Sequence, residues 1–287
     1  MLLTGSFPTS RRLAFALAVS ISIVACQPSA NGEASANRAQ ATAASDQAPQ
    51  AQTSEAGQFQ ITEVVSGLDH PWAVAFLPDQ SLLITERSGA LRRLSADGTL
   101  SAPLAGVPTV FAEGQGGLLD VAVAPDFASS RRIYLSYAEP GEDGTAGTAV
   151  ATATLGDSGL SDVKVIYQQQ PKLVGPNHFG SRLVFDDQGH LFISQGERNH
   201  RPTSQELDKL QGKLVRLNLD GSVPRDNPFI SQPGVRPEIW SYGHRNMQGM
   251  AIDPRTGKLW QNEHGPRGGD EINLPEPGKN YGWPVIT

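Results

Sequence analysis

Short apolar runs separated by turns rich in Pro, Asp and Gly make up the chain from Phe59 onward. One pattern recurs, in which an apolar run leads into a turn containing Pro-Asp, Asp-Asp or Asp-Pro and then into a second apolar run. Its four copies are residues 75–84, 122–136, 183–193 and 250–260. Runs of this length, with no long stretch of helical period, predict pairs of β-strands joined by turns.

The spacing of the copies predicts how the strands are arranged. The turn residues Pro78, Pro125, Asp186 and Asp253 lie 47, 61 and 67 residues apart. Repeats of roughly this length are typical of four-stranded propeller blades with inserted loops, each packed against its neighbours. We therefore predict an all-β protein, a β-propeller with about four blades in this chain. Because four such blades do not close the ring, we expect further blades beyond Thr287.

The first 56 residues have a different composition. Arg11 and Arg12 precede an apolar run that ends at Cys26, in the order of a secretory signal, and the run is shorter than a spanning helix of ~20 residues. Residues 27–56 are mostly Ala, Gln, Ser, Asn and Thr, which predicts a flexible tether without secondary structure. The predicted divisions are a signal peptide at 1–25, a tether at 26–56 and the propeller at 57–287.

Cys26 is the only cysteine, so the mature protein has no internal disulfide. It follows Ile-Val-Ala, which resembles the bacterial lipobox, where the signal is cleaved and the new N-terminal cysteine is lipidated. We expect a periplasmic lipoprotein that meets the membrane only through its lipid anchor; simple secretion is the alternative. Gln27 stands where an aspartate is associated with inner-membrane retention, which favours the outer membrane.

Charge narrows the range of partners. The formal net charge is -6, so the protein has no long-range attraction to nucleic acid or to acidic lipid. We therefore expect no nucleic-acid partner and look for a small-molecule substrate.

Chemistry-bearing residues are densest between residues 238 and 284. This stretch contains the tetrad Gly243-His244-Arg245-Asn246 and the run at 262–271, both set among glycines and prolines. Polar side chains in such surroundings cannot form a helix face or a strand face. We predict that they lie on loops held in place by the strands of the fourth copy.

Five motifs, taken in order, resemble those of the soluble pyrroloquinoline-quinone (PQQ)-dependent sugar dehydrogenases, the glucose/sorbosone and aldose sugar dehydrogenase family. They lie at residues 67–73, 114–120, 176–182, 242–246 and 263–266, the last followed by Asp-Glu-Ile-Asn at 270–273. The resemblance covers about residues 67–284. It implies a six-bladed β-propeller of the quinoprotein glucose dehydrogenase type, with PQQ and one Ca²⁺ as cofactors.

The resemblance also implies roles for single residues. His178 matches the family's base, which takes the proton of an anomeric hydroxyl while hydride passes to the quinone. Arg245 and Asn246 match the pair that faces the cofactor, and Gln115 and Arg182 match further positions of the cofactor site.

Each of these residues also has a purely structural interpretation. His178 can cap a strand end, and Gln115 can be an ordinary turn residue. Arg245 can be a surface arginine paired with Glu238 or Asp270.

The implied calcium ligands are the backbone carbonyls of Gly265 and Pro266, since Ca²⁺ prefers oxygen. Asp270 and Glu271 are near enough in sequence to be further ligands. The alternative is that these two carboxylates form a structural ion pair with Arg267.

Two departures from the family pattern affect these expectations. Glucose-oxidising members have Gly-Asp where this chain has Gly196-Glu197, so either Glu197 orients His178 at longer reach or the base is oriented differently. The lysine and arginines that clamp the quinone in the family are expected beyond residue 287.

Three functions are compatible with these residues. The first is a PQQ-dependent dehydrogenase that oxidises aldose sugars to lactones, with an unknown electron acceptor, as a monomer or a homodimer. The second is a calcium-dependent propeller lactonase, which needs several carboxylates and asparagines converging on the metal. The third is a non-catalytic propeller that binds glycans.

Overall fold

The structure, a computed structural model, describes residues 50–55 and 57–286. Nearly all regular structure in this part is β-strand, and its single α-helix is the one-turn α1 (Phe127–Ser130). The predicted signal peptide and Cys26 lie outside the described residues. Within the described ranges, no helix has the length and hydropathy needed to cross a bilayer.

A β-hairpin precedes the repeats. Strand β1 (Gln50–Ser54) pairs antiparallel with β2 (Gly57–Ile61), whose five residues are all exposed. The prediction that the tether has no secondary structure up to residue 56 is therefore wrong for β1. The composition is misleading here because an exposed hairpin is held by backbone hydrogen bonds and needs no apolar face.

Four antiparallel sheets follow along the chain. Sheet 1 contains β3 (Pro71–Phe76), β4 (Leu82–Glu86) and β5 (Ala90–Leu94). Sheet 2 contains β6 (Leu118–Val123), β7 (Arg132–Pro140), β8 (Thr145–Leu155), β9 (Leu160–Gln168) and β10 (Leu173–Val174). Sheet 3 contains β11 (Gly180–Phe185), β12 (His190–Gln195), β13 (Lys213–Asn218) and β14 (Ile239–Tyr242). Sheet 4 contains β15 (Met247–Ile252), β16 (Leu259–Glu263) and β17 (Glu271–Asn273).

The predicted repeats are confirmed. Pro78, Pro125, Asp186 and Asp253 each lie in the connection between the first and second strands of one sheet. The turn at Asp253 is closed by a hydrogen bond from the Gly257 N–H to the Asp253 carbonyl at 2.8 Å. Each copy of the pattern is thus the first hairpin of a sheet.

The core consists of the apolar layers between successive sheets. The layer between sheets 1 and 2 includes Leu83 and Leu135, and the layer between sheets 2 and 3 includes Val150 and Ile193, all fully buried. A smaller layer around Leu214 and other buried apolar side chains joins sheets 3 and 4. Each fully buried aliphatic side chain contributes about 1.5–3 kcal/mol, so most of the stability resides in these layers.

The first strands β3, β6, β11 and β15 contact one another in that order. In an antiparallel hairpin, the start of the first strand and the end of the second lie at the same end of the sheet. Residues before β11 and β15 and residues after β12 and β16 therefore share one end, which we call the rim. The repeated turns lie at the opposite end.

Candidate active site

His178 and Glu197 form a buried pair at the rim. His178 precedes β11 and Glu197 follows β12, and their side chains meet with 2.6 Å between Nδ1 and Oε2. Only 7% of His178 and 1% of Glu197 is exposed. The carboxylate accepts the Nδ1 proton, which leaves Nε2 as the basic nitrogen. Glu197 therefore orients His178, as one of the two sequence alternatives predicted.

The backbone of His178 is held in an unusual conformation. Its φ of 55° lies in the left-handed region, which non-glycine residues seldom adopt. The side-chain oxygen of Gln115 accepts the His178 N–H at 2.8 Å, and the Arg198 N–H donates to the His178 carbonyl at 3.3 Å. Gln115 is exposed, yet it anchors the base through the backbone.

Asn246 connects the fourth sheet to the same place. Its side chain is 1% exposed, and its Oδ1 accepts the Gly180 N–H at 3.1 Å. Asn246 also forms a β-bridge with Gly196. A Cβ on Gly196 would lie 2.0 Å from the His178 carbonyl oxygen, so only glycine fits between Glu197 and the loop of the base.

Arg245 lies at the rim with an unsatisfied donor. Its Nη1 donates to the His264 carbonyl at 2.9 Å, and its guanidinium lies 5.3 Å from the Trp283 ring centroid. Its Nε is buried and has no hydrogen-bond partner among the described residues. The alternative pairing with Glu238 or Asp270 is wrong, because Glu238 accepts from Arg236 and Asp270 accepts from Gly265.

A second buried histidine pair supports the backbone of Arg245. Glu263 bonds the His244 Nδ1 at 2.9 Å through Oε1 and accepts the Arg245 N–H at 2.5 Å through Oε2. His244 also bonds Ser241 through Nε2 and stacks on Tyr281. Burial acts to raise the pKa of Glu263, but His244 and the other bonds outweigh it and lower the pKa. This network fixes the tetrad at 243–246.

Arg182 lies deeper, among the first strands of all four sheets. It donates to Asp120 on β6 at 2.7 Å and to the Gln248 carbonyl on β15 at 3.1 Å. Its guanidinium also stacks on Trp72 of β3, 4.6 Å from the ring centroid. Among the described residues, no hydrogen bond of the Arg182 side chain reaches His178, so Arg182 links neighbouring sheets in this structure.

The Gly265-Pro266 turn presents backbone oxygens. Within the described part of the chain, no hydrogen bond is donated to either carbonyl. A Cβ on Gly265 would lie 2.2 Å from the Gly268 carbonyl oxygen, so the turn closes tightly around a glycine. Asp270 fixes it by accepting the Gly265 N–H at 2.8 Å. Asp270 therefore supports the turn, whereas Glu271 bonds Asn273 at 3.1 Å.

A cleft beside this turn is lined by residues that have the chemistry to contact a planar anionic group and a hard cation. Its lining residues include Arg245, Gly265, Pro266, Tyr281 and Trp283. The unpartnered Arg245 donor suits an anionic group, the aromatic rings suit a planar one, and the free carbonyls suit a hard cation. No cluster of three or more His, Cys, Asp or Glu side chains that could hold a metal occurs in residues 50–55 and 57–286.

Sequence reasoning missed two contributors. The His244-Glu263 pair had no signal, because a buried histidine and a loop histidine look alike in sequence. Arg198, which follows Glu197 directly, was given no role. The available indication of a role was its position, directly after Gly196-Glu197 at the end of a strand.

The fold and the site together define a propeller-type all-β protein with a buried histidine-carboxylate pair and a cleft at one end of its sheets. The family described as Glucose / Sorbosone dehydrogenase matches residues 68–287. The chain belongs to this family.

Named relatives agree with this membership. The chain is 64% identical over 223 residues to aldose sugar dehydrogenase YliI of Escherichia coli K12. The matched region covers 77% of this chain and 60% of that protein. The apo crystal structure of the soluble E. coli aldose sugar dehydrogenase is similar with a TM-score of 0.75 and 64% identity, covering 77% of this chain and 64% of that one.

A third relative is the PQQ-bound aldose sugar dehydrogenase of Streptomyces coelicolor, with a TM-score of 0.71 and 31% identity, covering 84% of this chain and 68% of that one. These similarities confirm the predicted all-β propeller class. The chain spans about 60% of the length of the E. coli relative.

Proposed function

We propose that this chain carries the base and part of the cofactor site of a PQQ-dependent aldose sugar dehydrogenase. The observation that carries the proposal is the His178-Glu197 pair, a buried imidazole with its Nδ1 bonded to a carboxylate. Family membership and the PQQ-bound relative support the same function. The sugar is oxidised at its anomeric hydroxyl, and the product is the lactone.

His178 performs the acid–base part of the reaction. Its Nε2 takes the proton of the sugar hydroxyl, and Glu197 stabilises the imidazolium that results. A bound PQQ would supply the hydride acceptor, and Ca²⁺, held by the Gly265 and Pro266 carbonyls, would supply Lewis-acid chemistry. Arg245 supplies positive charge beside the cofactor, where its unpartnered Nε is available for a hydrogen bond.

The remaining residues hold the site together. Gln115 and Asn246 fix the loop of the base, and the Gly265 and Pro266 carbonyls are the proposed calcium ligands. Asp270 supports that turn, and Glu271, which lines the cleft, is proposed as a further ligand. Arg182 forms an ion pair with Asp120, so its main role is to link the sheets. Because 29% of its side chain is exposed, it can also contact the cofactor.

The alternatives have less support. A lactonase site needs converging carboxylates, and the described part of the chain contains no such cluster. A glycan-binding propeller has no use for a base paired with a buried carboxylate.

The test is reconstitution of the protein with PQQ and Ca²⁺, followed by dye reduction with a panel of aldoses. Activity that requires both cofactors and is lost in His178→Ala supports the proposal. Because the chain spans about 60% of the length of the E. coli relative, that relative serves as a positive control, and a longer form of this chain is assayed beside it. If the longer form reduces no dye while the control is active, the proposal is overturned.

Export and lipid anchoring are a separate proposal that rests on residues 1–26 alone. We propose a periplasmic lipoprotein attached to the outer membrane through Cys26. Palmitate labelling of cells that express the protein tests it. Labelling that is as strong in Cys26→Ser as in the wild type, or absent from both, would overturn it.

A further inference from the structure

Arg198 is a buried cation next to the base, and the proposed reaction does not use it. Its side chain is 1% exposed, which places it among the largest fully buried side chains of the described residues. It follows Glu197 directly in the chain, and its own φ of 59° lies in the left-handed region. Such a residue requires a physical reason.

The guanidinium of Arg198 binds the loop that carries His178. Its Nε donates to the Asn177 carbonyl at 2.8 Å, and its two terminal nitrogens donate to the carbonyls of Gly175 and Ala146. The backbone N–H of the same residue donates to the His178 carbonyl. Three of these four bonds go to residues 175–178.

The guanidinium plane also packs on the residue after the base. It lies 3.7 Å from the centroid of the Phe179 ring, and Phe179 is itself 2% exposed. The arginine therefore holds the loop from both sides of His178, by hydrogen bonds before it and by stacking after it. A cation at this distance from an aromatic face is attracted to it, most strongly when both are desolvated.

Burying this charge is costly, since none of the three acceptors is a carboxylate. Burial lowers the pKa of Arg198 to about 10, and the nearby Glu197 acts in the opposite direction. Glu197 in turn has one oxygen, Oε1, that is buried without a hydrogen-bond partner among the described residues. The two charges therefore compensate each other inside the same buried site.

We propose that Arg198 is a positioning residue for His178. Its guanidinium fixes the loop at residues 175–179, and its charge compensates Glu197, so that the imidazole stays oriented before any cofactor or sugar arrives. The inference rests on the proposed function only for its kinetic consequence. The orientation of His178 can be measured in the cofactor-free protein.

Arginine is required for this role, and lysine only partly replaces it. The planar guanidinium reaches three carbonyls in different directions and stacks on a ring. An ammonium group keeps the charge beside Glu197, but it lacks the plane that stacks on Phe179. Arg198→Lys therefore separates the contribution of charge from that of geometry, and Arg198→Met removes both.

Arg216 on β13 offers a matched control. It is 4% exposed, its Nε donates to the Asn227 side-chain oxygen at 2.7 Å, and it lies 4.3 Å from the Trp240 ring centroid. Arg216→Met thus removes a buried, stacked arginine from the same sheet without touching the loop of the base. Any effect of general destabilisation appears in this variant too.

The first measurement is proton NMR of the cofactor-free protein. The Nδ1 proton shared by His178 and Glu197 gives a low-field resonance, which is assigned by its absence from His178→Ala. We expect the resonance to be lost or shifted in Arg198→Met, to be partly retained in Arg198→Lys and to be unchanged in Arg216→Met. An unchanged resonance in Arg198→Met, or in Arg198→Lys should the methionine variant not fold, would overturn the inference.

The second measurement is steady-state kinetics of the reconstituted protein. Because misplacement of a reacting group by about 1 Å can cost about 100-fold, we expect kcat about 100-fold lower in Arg198→Met and about tenfold lower in Arg198→Lys. KM for the sugar should change less than about threefold, since Arg198 is itself buried and acts through the orientation of His178. Equal losses of kcat in Arg198→Met and Arg216→Met would overturn the inference, whereas failure of all forms to turn over would count only against the proposed function.

Discussion

Arg182 and Arg245, two arginines that the sequence assigned to one cofactor site, have opposite surroundings in the structure. Arg182 is satisfied by protein groups, with Asp120, the Gln248 carbonyl and the Trp72 ring around it. Arg245 lines the cleft and keeps a buried Nε without a partner among the described residues. The same type of side chain therefore links the sheets at position 182 and lines a cleft, with a donor to spare, at position 245.

The difference shows how a binding cation can be recognised. A buried donor without a partner costs about 1–3 kcal/mol, so a stable fold retains one only where something else compensates. Arg245 has this cost and Arg182 does not. Stability and ligand binding should therefore respond in opposite ways when the two residues are changed.

The largest effect is expected for Arg245→Met. Loss of a cation beside the reacting cofactor should lower kcat about 1000-fold, because charge that develops in the transition state is no longer stabilised. Thermal stability should change little, since the loss of the hydrogen bond to the His264 carbonyl is offset by removal of a buried, unsatisfied donor. The measurement is dye reduction combined with thermal unfolding, with Arg245→Lys as the charge-preserving control. A variant that unfolds far below the wild type would show that Arg245 is structural.

Arg182→Met should mainly reduce stability. Removing the cation leaves Asp120 buried and unpaired, which should lower the free energy of unfolding by roughly 3 kcal/mol, the lower end for a buried pair because Arg182 is partly exposed. Urea unfolding measures this loss, and PQQ affinity is measured on the folded fraction. Unchanged stability together with a loss of PQQ affinity would instead make Arg182 a direct cofactor contact.

The smallest effect is a dependence on pH. Burial raises the pKa of Asp120 from 3.8 to about 6, against the opposing effect of Arg182. The folded protein therefore holds this proton to a higher pH than the unfolded chain does, so stability falls as pH rises towards 6. Between about pH 4.5 and 6, the wild type should lose about 1.5 kcal/mol relative to Asp120→Asn. The free energy of unfolding of both proteins is measured at several pH values in this range. A constant difference between the two would contradict the prediction.

Much of the fold follows from the sequence, because each repeated turn has local causes. The Asp253 turn closes on Gly257 with a hydrogen bond between residues four apart, and the flanking apolar runs form its strands. The β1 strand was missed for the opposite reason. Its pairing with β2 leaves no apolar signature in Gln-Ala-Gln-Thr-Ser.

The site was predictable where a side chain has one dominant use. Glu197 was one of two alternatives for orienting His178, because it stands where family members have an acidic residue, and the structure shows its carboxylate bonded to the imidazole. Arg198 was missed because the acceptors of its side chain are backbone carbonyls, which have no signature in the sequence. The His244-Glu263 pair was missed because nothing in the sequence shows that His244 is buried. The Arg198 contact with the Ala146 carbonyl, for example, spans 52 residues. Such contacts form only when the sheets have packed, so no local sequence pattern predicts them.

The separation of the repeated turns from the rim has a practical consequence for anyone who immobilises the protein. Gly98, Gly189 and Gly257 belong to turns with positive φ, and a Cβ added to any of them would meet no neighbouring atom within 4 Å. The Gly189 and Gly257 turns lie at the far ends of the hairpins from the base and the cleft. A cysteine placed beside either of these two glycines would attach the molecule to a surface by the end opposite the cleft. The cleft would then face the solution.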